Sequence, residues 1–175
     1  MKRFFCCLFA IVAIFTFTSE GREKPNILFV LFDDMGYGEP TSYRPTSLFK
    51  TPNIDRMAKE GMRFTDAHSS AASCTPTRYG FLTGRYPHRI GQFGVLSTFS
   101  PPLIPDTRLT IASYLKRNGY TTACIGKWHL GMNWDRHKTK GKNKTKEKLK
   151  IGEKLTGGPN SIGFEYFYGF THARN

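Results

Sequence analysis

The stretch Cys74-Thr75-Pro76-Thr77-Arg78, followed directly by residues 79–85, predicts a short helix. Pro is favoured in the first helical turn because its missing N–H would have no partner there, and Gly is common just past a helix end. We therefore expect Thr75 to cap a helix that begins at Pro76 and stops near Gly84. Cys74 would then precede the helix N-terminus, where free N–H groups and the helix dipole favour an anion of sulfate or phosphate type. The Arg78 guanidinium would lie about one turn further along.

A continuous apolar run, residues 26–32, ends in Asp33 and Asp34 and is followed by a Gly-rich turn. An apolar run without alternation is typical of a strand that is buried on both faces. In open α/β sheets, ligands bind at the carboxyl ends of the strands. Two Asp carboxylates there suit Ca²⁺ or Mg²⁺, although Asp also commonly caps a turn. Both interpretations of the pair fit the spacing.

Residues 120–126 predict another strand, which continues into Lys127, Trp128 and His129. If the extended geometry persists, Lys127 and His129 point to one face and Trp128 to the other. A cation and an acid–base group two residues apart at a strand end favour a functional site over simple packing.

The remaining segments alternate between helical and extended patterns. Thr51 and Gly61 delimit a predicted helix with Ile54, Met57 and Ala58 as its buried stripe. A second helix runs from Thr110 to Asn118-Gly119, while residues 62–68 alternate weakly and predict a second strand.

Loop and tail segments complete the prediction. Three Pro residues make 91–108 irregular, and the aromatic, Gly-rich tail 163–170 is expected to pack on another element. This order of elements predicts one α/β domain with a mostly parallel sheet and helices on both faces.

The N-terminus has the pattern of a secretory signal peptide, residues 1–21. Lys2-Arg3 precede an apolar run that is shorter than a membrane span, and small polar residues follow it. We therefore expect a secreted or periplasmic protein without a stable membrane anchor; an uncleaved anchor is the alternative. Cleavage would remove Cys6 and Cys7. Export would make a disulfide between Cys74 and Cys124 conceivable.

The net charge of +13 is concentrated in one segment. Residues 136–154 hold nine Lys or Arg and two Glu, with no aromatic residue for stacking on bases. Because the chain is predicted to be exported and its excess charge is local, we expect no nucleic-acid partner. The segment is predicted to be a solvated loop, with a docking patch for a polyanionic substrate as the alternative.

These stretches together resemble one family, the type I, formylglycine-dependent sulfatases of the alkaline phosphatase superfamily. Residues 74–78 with 82–85 match its first signature, C-x-P-x-R followed by L-T-G-R, and residues 119–131 match its second. Pro25-Asn26-Ile27 with the Asp pair, and residues 51–55, agree in order and spacing. The resemblance covers residues 24–134 and recurs at 163–170. Four ordered blocks at family spacing make it specific.

The resemblance implies an alkaline phosphatase-like three-layer α/β sandwich and a nucleophile made from Cys74. A maturation enzyme would oxidise Cys74 to formylglycine, whose hydrate attacks the sulfur of a sulfate ester. Its second hydroxyl would then drive the elimination of sulfate. Arg78 would orient the hydrate, Lys127 would contact the sulfate, and His129 would hold the hydroxyl.

For the metal, the resemblance implies Asp33, Asp34 and the modified Cys74 as ligands of a divalent cation, Ca²⁺ or Mg²⁺. In the family, an Asp and an Asn from a later segment complete this site. Residues 24–175 would therefore be the N-terminal part of a longer catalytic domain, with 136–154 as a basic insertion. We expect no appreciable sulfatase activity from these 175 residues alone.

The resemblance implies a sulfated small molecule or carbohydrate as substrate. Two alternatives remain open at this point. One is a phosphate or phosphonate monoester hydrolase of the same superfamily. The other is a non-catalytic secreted protein whose basic segment binds a sulfated polysaccharide.

Overall fold

The computed structural model describes residues 23–134, 136–139, 146–149 and 155–172. The chain divides into two compact units, residues 1–35 and residues 36–175. The predicted signal peptide, residues 1–21, lies outside the described residues. None of the helices within the described ranges has the length and hydropathy that crossing a bilayer requires.

The predicted strand at residues 26–32 is wrong. The described residues of the first unit, 23–35, contain neither helix nor strand, and the apolar side chains are exposed, with Leu28 at 88% and Val30 at 57%. Burial of a parallel strand needs elements over both of its faces. The described part of this unit supplies no helix or strand that covers these side chains.

Helix α1, Pro52–Glu60, has the bounds that the sequence predicts, with Pro at its start and Gly61 at its end. Thr51 is its N-cap residue, as the sequence predicts, but the Thr51 hydroxyl makes no capping bond. That hydroxyl instead accepts from the Thr41 N–H at 2.9 Å and donates to the Asp55 carboxylate at 3.2 Å. The helix therefore begins where a side-chain network holds the preceding loop.

The predicted buried stripe of α1 is only partly correct. Ile54 and Ala58 are half-buried, but Met57 is 69% exposed and the helix has no fully buried residue. Residues 62–68, predicted as a strand, form none, and their side chains are exposed. Weak alternation alone does not fix a strand, because its stability depends on packing against cross-strand neighbours.

Helix α2, Cys74–Thr83, and helix α3, Ile111–Arg117, flank an irregular segment. The prediction for α3 is confirmed. Thr110 accepts from the Ser113 N–H, and the Ser113 hydroxyl accepts in return from the Thr110 N–H, which closes a capping box. Between these helices, residues 91–108 contain no α-helix or strand, as the Pro residues predict.

Strand β1, Ala123–Lys127, pairs in parallel with the tail, whose strand we label β4, Tyr166–Phe170. The register runs from Ala123 opposite Tyr166 to Lys127 opposite Phe170. The tail therefore does pack on another element, as expected.

Strands β2, Arg136–Thr139, and β3, Lys146–Leu149, form an antiparallel pair. The prediction of a loop for the whole of 136–154 is therefore wrong at these eight residues. Lys-rich composition disfavours strands only weakly, and pairing with a neighbour overrides that preference.

The hydrophobic core joins α2 to the segment that follows β1. Its buried side chains come from α2, from the irregular segment, from residues 128–132 and from the short 3₁₀ helix Pro159–Ile162; they are Tyr79, Leu82, Ile104, Trp128, Leu130, Met132 and Ile162. Several core residues are therefore direct sequence neighbours of the candidate functional residues Arg78, Lys127 and His129.

Candidate active site

Cys74 is the first residue of α2, and Ser73, rather than Thr75, is its N-cap. The predicted helix start is therefore wrong by two residues. Pro76 falls at the third helical position, where its missing N–H costs nothing because the first N–H groups of a helix have no intrahelical partner. The predicted end is confirmed, since Gly84 closes the helix in the left-handed conformation with φ 63°. The half-buried Cys74 thiol therefore sits at the N-terminal turn of a ten-residue helix.

Thr75 connects α2 to the segment after β1. Its side chain is fully buried. Its hydroxyl donates to the His129 carbonyl oxygen at 2.8 Å and accepts from the Leu96 N–H at 3.2 Å. A buried hydroxyl is costly unless it is hydrogen-bonded, and here both its donor and its acceptor capacity are used.

Arg78 makes a second connection between the same two segments. It lies four residues after Cys74, and side chains at that spacing share a helix face. Its Nη1 donates to the Lys127 carbonyl oxygen at 2.6 Å. The predicted site residues Cys74, Arg78, Lys127 and His129 are thus joined through the N-terminal half of α2 and the end of β1.

Cys124 lies on β1 near this connection. Burial raises the pKa of its thiol, and the Arg78 charge partly opposes that rise. Both Cys74 and Cys124 are free thiols, so the conceivable disulfide between them is not formed. Cys124 therefore behaves as a neutral, partly buried side chain.

The extended geometry of β1 does not persist to His129. The strand ends at Lys127, and His129 takes a left-handed φ of 55°. The prediction that Lys127 and His129 share a face by strand alternation is therefore wrong. Two residues later Gly131, with φ 76°, passes so close to the Pro101 carbonyl that a Cβ would lie 1.9 Å from its oxygen.

Main-chain bonds from the tail fix this turn. The Trp128 N–H donates to the Phe170 carbonyl at 2.9 Å, and the His129 N–H donates to the Thr171 carbonyl at 3.0 Å. The Trp128 indole N–H donates to the Gly131 carbonyl at 2.8 Å. The tail therefore fixes the backbone of Trp128 and His129 through Phe170 and Thr171.

The His129 imidazole is 3% exposed. Its Nε2 lies 2.9 Å from the Leu96 carbonyl oxygen. Desolvation lowers the pKa of His129, the Leu96 hydrogen bond opposes that shift, and the charges of Lys127, Arg78 and His172 add to it. The imidazole is therefore neutral near pH 7.

Leu96 and Thr171 are site residues that the sequence analysis missed. Both act through main-chain carbonyls, which carry no residue signature. Thr75 lies within the quoted motif, but its side chain was assigned to helix capping, and only the three-dimensional structure shows its bond to His129.

Asp33 and Asp34 lie in the other compact unit, and both are exposed. Asp34 has a left-handed φ of 65°, a conformation that Asp tolerates better than most residues. Carboxylate oxygens are suitable donors for Ca²⁺, which takes six to eight ligands. Within the described ranges, however, no group of three or more His, Cys, Asp or Glu side chains is placed to hold a metal. The metal-ligand role of Asp33 and Asp34 therefore stays a prediction.

The family model described as Sulfatase matches residues 25–175. Among curated proteins, the chain is 42% identical over 113 residues to N-acetylgalactosamine-6-O-sulfatase of Bacteroides thetaiotaomicron, covering 65% of this chain and 22% of that protein. It is 45% identical over 121 residues to human steryl-sulfatase, covering 66% and 21%. It is 34% identical over 173 residues to arylsulfatase G of Canis lupus familiaris, covering 98% and 28%. The chain thus spans about a fifth to a quarter of the length of these relatives.

Two solved structures are similar to the chain. One, described under the metabolism of multiple glycosaminoglycans by Bacteroides thetaiotaomicron, has a TM-score of 0.69 and 36% identity, covering 84% of this chain and 28% of that one. The other is Ps i-CgsB in complex with k-i-k-neocarrahexaose, with a TM-score of 0.56 and 31% identity, covering 81% and 27%. This likeness confirms the predicted α/β fold class.

Proposed function

Because the chain belongs to the sulfatase family, we propose that it forms the nucleophile side of a sulfuric ester hydrolase site. The reaction is hydrolysis of a sulfate ester, in which water and the ester give an alcohol and inorganic sulfate. The observation that carries the proposal is the double connection of the N-terminal half of α2 to the end of β1. Thr75 bonds to the His129 carbonyl and Arg78 bonds to the Lys127 carbonyl.

Cys74 is the proposed nucleophile position, with formylglycine as its mature form. A formylglycine-generating or equivalent maturation enzyme would supply that modification, which provides a hydrated aldehyde for attack on the ester sulfur. The N–H groups of the first turn of α2 have no intrahelical partner, and they favour a negative group beside Cys74. Arg78 reinforces this preference with a charge held in place by its bond to Lys127.

Lys127 and His129 have complementary proposed roles. The Lys127 ammonium attracts the sulfate group and balances its negative charge. His129 is neutral near pH 7, because burial lowers its pKa, so it is able to accept a proton from a hydroxyl in the site.

A divalent cation, Ca²⁺ or Mg²⁺, is the proposed cofactor, with Asp33 and Asp34 among its ligands. The cation would neutralise charge on the sulfate. Two carboxylates do not complete its coordination shell, so further oxygen ligands, from carbonyl or carboxylate groups or from water, are needed. Export by the predicted signal peptide would place the protein outside the cytoplasm, in the periplasm or the medium.

A sulfated carbohydrate is the proposed substrate class. What supports it is the naming of the relatives. One is an N-acetylgalactosamine-6-O-sulfatase, and one similar structure holds k-i-k-neocarrahexaose. The name of another relative, human steryl-sulfatase, supports a small sulfated alcohol as the alternative substrate.

The assay for this proposal uses a chimera, because the chain spans about a quarter of arylsulfatase G. Residues 25–172 replace the matching segment of that relative, and the chimera is produced together with a maturation enzyme. We expect the folded chimera to hydrolyse an aryl sulfate faster than the matching aryl phosphate, and Cys74→Ala to abolish the difference. A folded chimera that prefers the phosphate ester would instead support the phosphatase alternative.

Polyanion binding by the basic segment is a second candidate function, and the β2–β3 pair favours it. The antiparallel register sets residues 136–139 against 146–149, and four of these eight residues are Lys or Arg. By its sequence, this paired segment carries positive charge that a polyanion would neutralise.

Chromatography on an immobilised sulfated polysaccharide tests this second function. We expect Lys146→Gln with Lys148→Gln to elute at lower salt than the unmodified chain. The matched control, Lys50→Gln with Lys59→Gln, removes the same charge from exposed positions elsewhere. Equal elution of the two double variants would show that only net charge matters.

A further inference from the structure

Three hydrogen bonds form a closed cycle between Thr75, Leu96 and His129. The Leu96 N–H donates to the Thr75 hydroxyl at 3.2 Å, and that hydroxyl donates to the His129 carbonyl at 2.8 Å. The imidazole Nε2 of His129 returns to the Leu96 carbonyl at 2.9 Å. Thr75 and His129 are 0% and 3% exposed, and Leu96 is half-buried. The bond between Thr75 and His129 is therefore buried, and the two bonds to Leu96 are partly buried.

The chemistry of the Leu96 carbonyl fixes the proton on the imidazole. A carbonyl oxygen only accepts hydrogen bonds, so Nε2 must be the N–H donor. In a neutral imidazole the other nitrogen, Nδ1, is then an acceptor. This Nδ1 is buried and has no hydrogen-bond partner among the residues that the structure describes.

We propose that Thr75 and the Leu96 carbonyl are positioning groups that hold His129 in the Nε2–H tautomer. This tautomer reserves Nδ1 as the proton acceptor of the site. The charged or titratable groups near the imidazole are Lys127, Arg78 and His172. Their charges oppose a second proton on the ring, so the ring stays an acceptor. The role of Nδ1 in catalysis rests on the proposed sulfatase function. The assignment of the tautomer does not, because it follows from the hydrogen bond to the Leu96 carbonyl.

The backbone of His129 supports a positioning role for Thr75. His129 adopts φ 55°, and a non-Gly residue in this region costs free energy that its surroundings must offset. The Thr75 hydroxyl holds the carbonyl of this residue, and Thr171 holds its N–H. The orientation of the ring is therefore set at both peptide groups and at Nε2.

The cycle also explains why residue 75 carries a hydroxyl. Val has nearly the same shape but neither donor nor acceptor, so it would leave the Leu96 N–H and the His129 carbonyl without the hydroxyl that joins them. Ser keeps the hydroxyl and loses only a methyl group. These two residues are therefore a matched pair for separating the hydroxyl from the packing.

Long-range ¹H–¹⁵N spectra of the ¹⁵N-histidine-labelled 175-residue chain test the proposal, with the His129 signals assigned by their loss in His129→Gln. We expect a single Nε2–H tautomer in the unmodified chain and in Thr75→Ser. In Thr75→Val we expect a measurable Nδ1–H population. The measurement needs no turnover, so absent sulfatase activity would leave its result intact.

Two results would overturn the proposal. One is an Nδ1–H tautomer, or a mixture, in the unmodified chain, which needs no variant to observe. The other is a Thr75→Val chain that folds and gives the unmodified His129 spectrum. If Thr75→Val does not fold, the spectra of the unmodified chain and Thr75→Ser still decide the tautomer.

Discussion

Two segments differ sharply in burial: residues 26–32, which are a predicted strand, and residues 127–132, which directly follow one. In the first, Leu28 is 88% exposed, whereas in the second Leu130 is 1% exposed. The second segment bonds to Phe170 and Thr171 through its backbone, and its side chains join the core around α2. Apolar composition therefore indicates what is able to be buried, while neighbouring elements decide what is buried.

The difference extends to the candidate functional residues beside each segment. His129 is fixed by bonds to its N–H, its carbonyl and its ring. Asp33 and Asp34 follow the exposed segment and are themselves exposed. The structure therefore fixes the geometry of His129, whereas for Asp33 and Asp34 only the chemical type of the donor supports a function.

The largest expected effect comes from truncating one Leu in each segment. Leu130→Ala should lower the free energy of unfolding by about 2–5 kcal/mol, because it leaves a cavity in the core. Leu28→Ala should change it by less than about 0.5 kcal/mol, since the side chain already contacts water. Chemical denaturation of both variants measures the two effects. Equal losses of stability would contradict the difference in burial between Leu28 and Leu130 and would show that residues 26–32 are buried in solution.

Two glycines with positive φ test the close packing of the turn after β1. Gly131 and Gly84 both have positive φ, but a Cβ would strike the Pro101 carbonyl at Gly131 and would meet nothing within 4 Å at Gly84. Gly131→Ala should therefore cost about 3 kcal/mol of stability. Gly84→Ala should cost about 1 kcal/mol, from its left-handed backbone alone.

The same denaturation experiment measures both glycine variants. A Gly131→Ala chain no less stable than Gly84→Ala would mean that residues 131 and 101 do not approach each other as described.

The smallest expected effect is on the pH dependence of stability. Burial holds the pKa of His129 below its ordinary value, which is about 6.5. Between these two values the unfolded chain binds the extra proton, so stability rises with pH. The contribution of His129 is therefore fully present above about pH 6.5 and is lost as the pH falls below it.

Denaturation midpoints measured between about pH 5 and pH 8 follow this contribution. His129→Gln should have a flatter dependence than the unmodified chain over that range. The control, His88→Gln, changes an exposed residue and should keep the original slope. A His129→Gln chain with the unmodified slope would contradict the described burial of the imidazole.

Local sequence signals correctly predicted helix ends that are marked by a capping residue or by a glycine. Thr110 predicted the start of α3, where Ser113 completes the capping box in the structure, and Gly84 predicted the end of α2. At the start of α2, the sequence prediction placed the cap at Thr75, whereas the structure places it at Ser73. The Ser73 side chain makes no capping bond, so no local capping contact marks this helix start.

Features that depend on distant parts of the chain could not be predicted in this way. The turn at His129 requires Pro101 on one side and Thr171 on the other, both about 30 or more residues away in the sequence. The pairing of β2 with β3 arises within a segment whose composition indicated a loop. The sequence identified the candidate chemistry, and long-range contacts set its geometry.

The mass of the peptide that contains Cys74 shows whether this residue is converted to formylglycine, the proposed precursor of the nucleophile. The chain is produced with a formylglycine-generating enzyme, treated with a thiol-alkylating reagent, and digested, and Cys124 in the same molecule serves as the unmodified control. The account predicts an aldehyde at Cys74, captured by a hydrazide probe, and an alkylated thiol at Cys124. Complete alkylation of Cys74, with no aldehyde at that position, would contradict it.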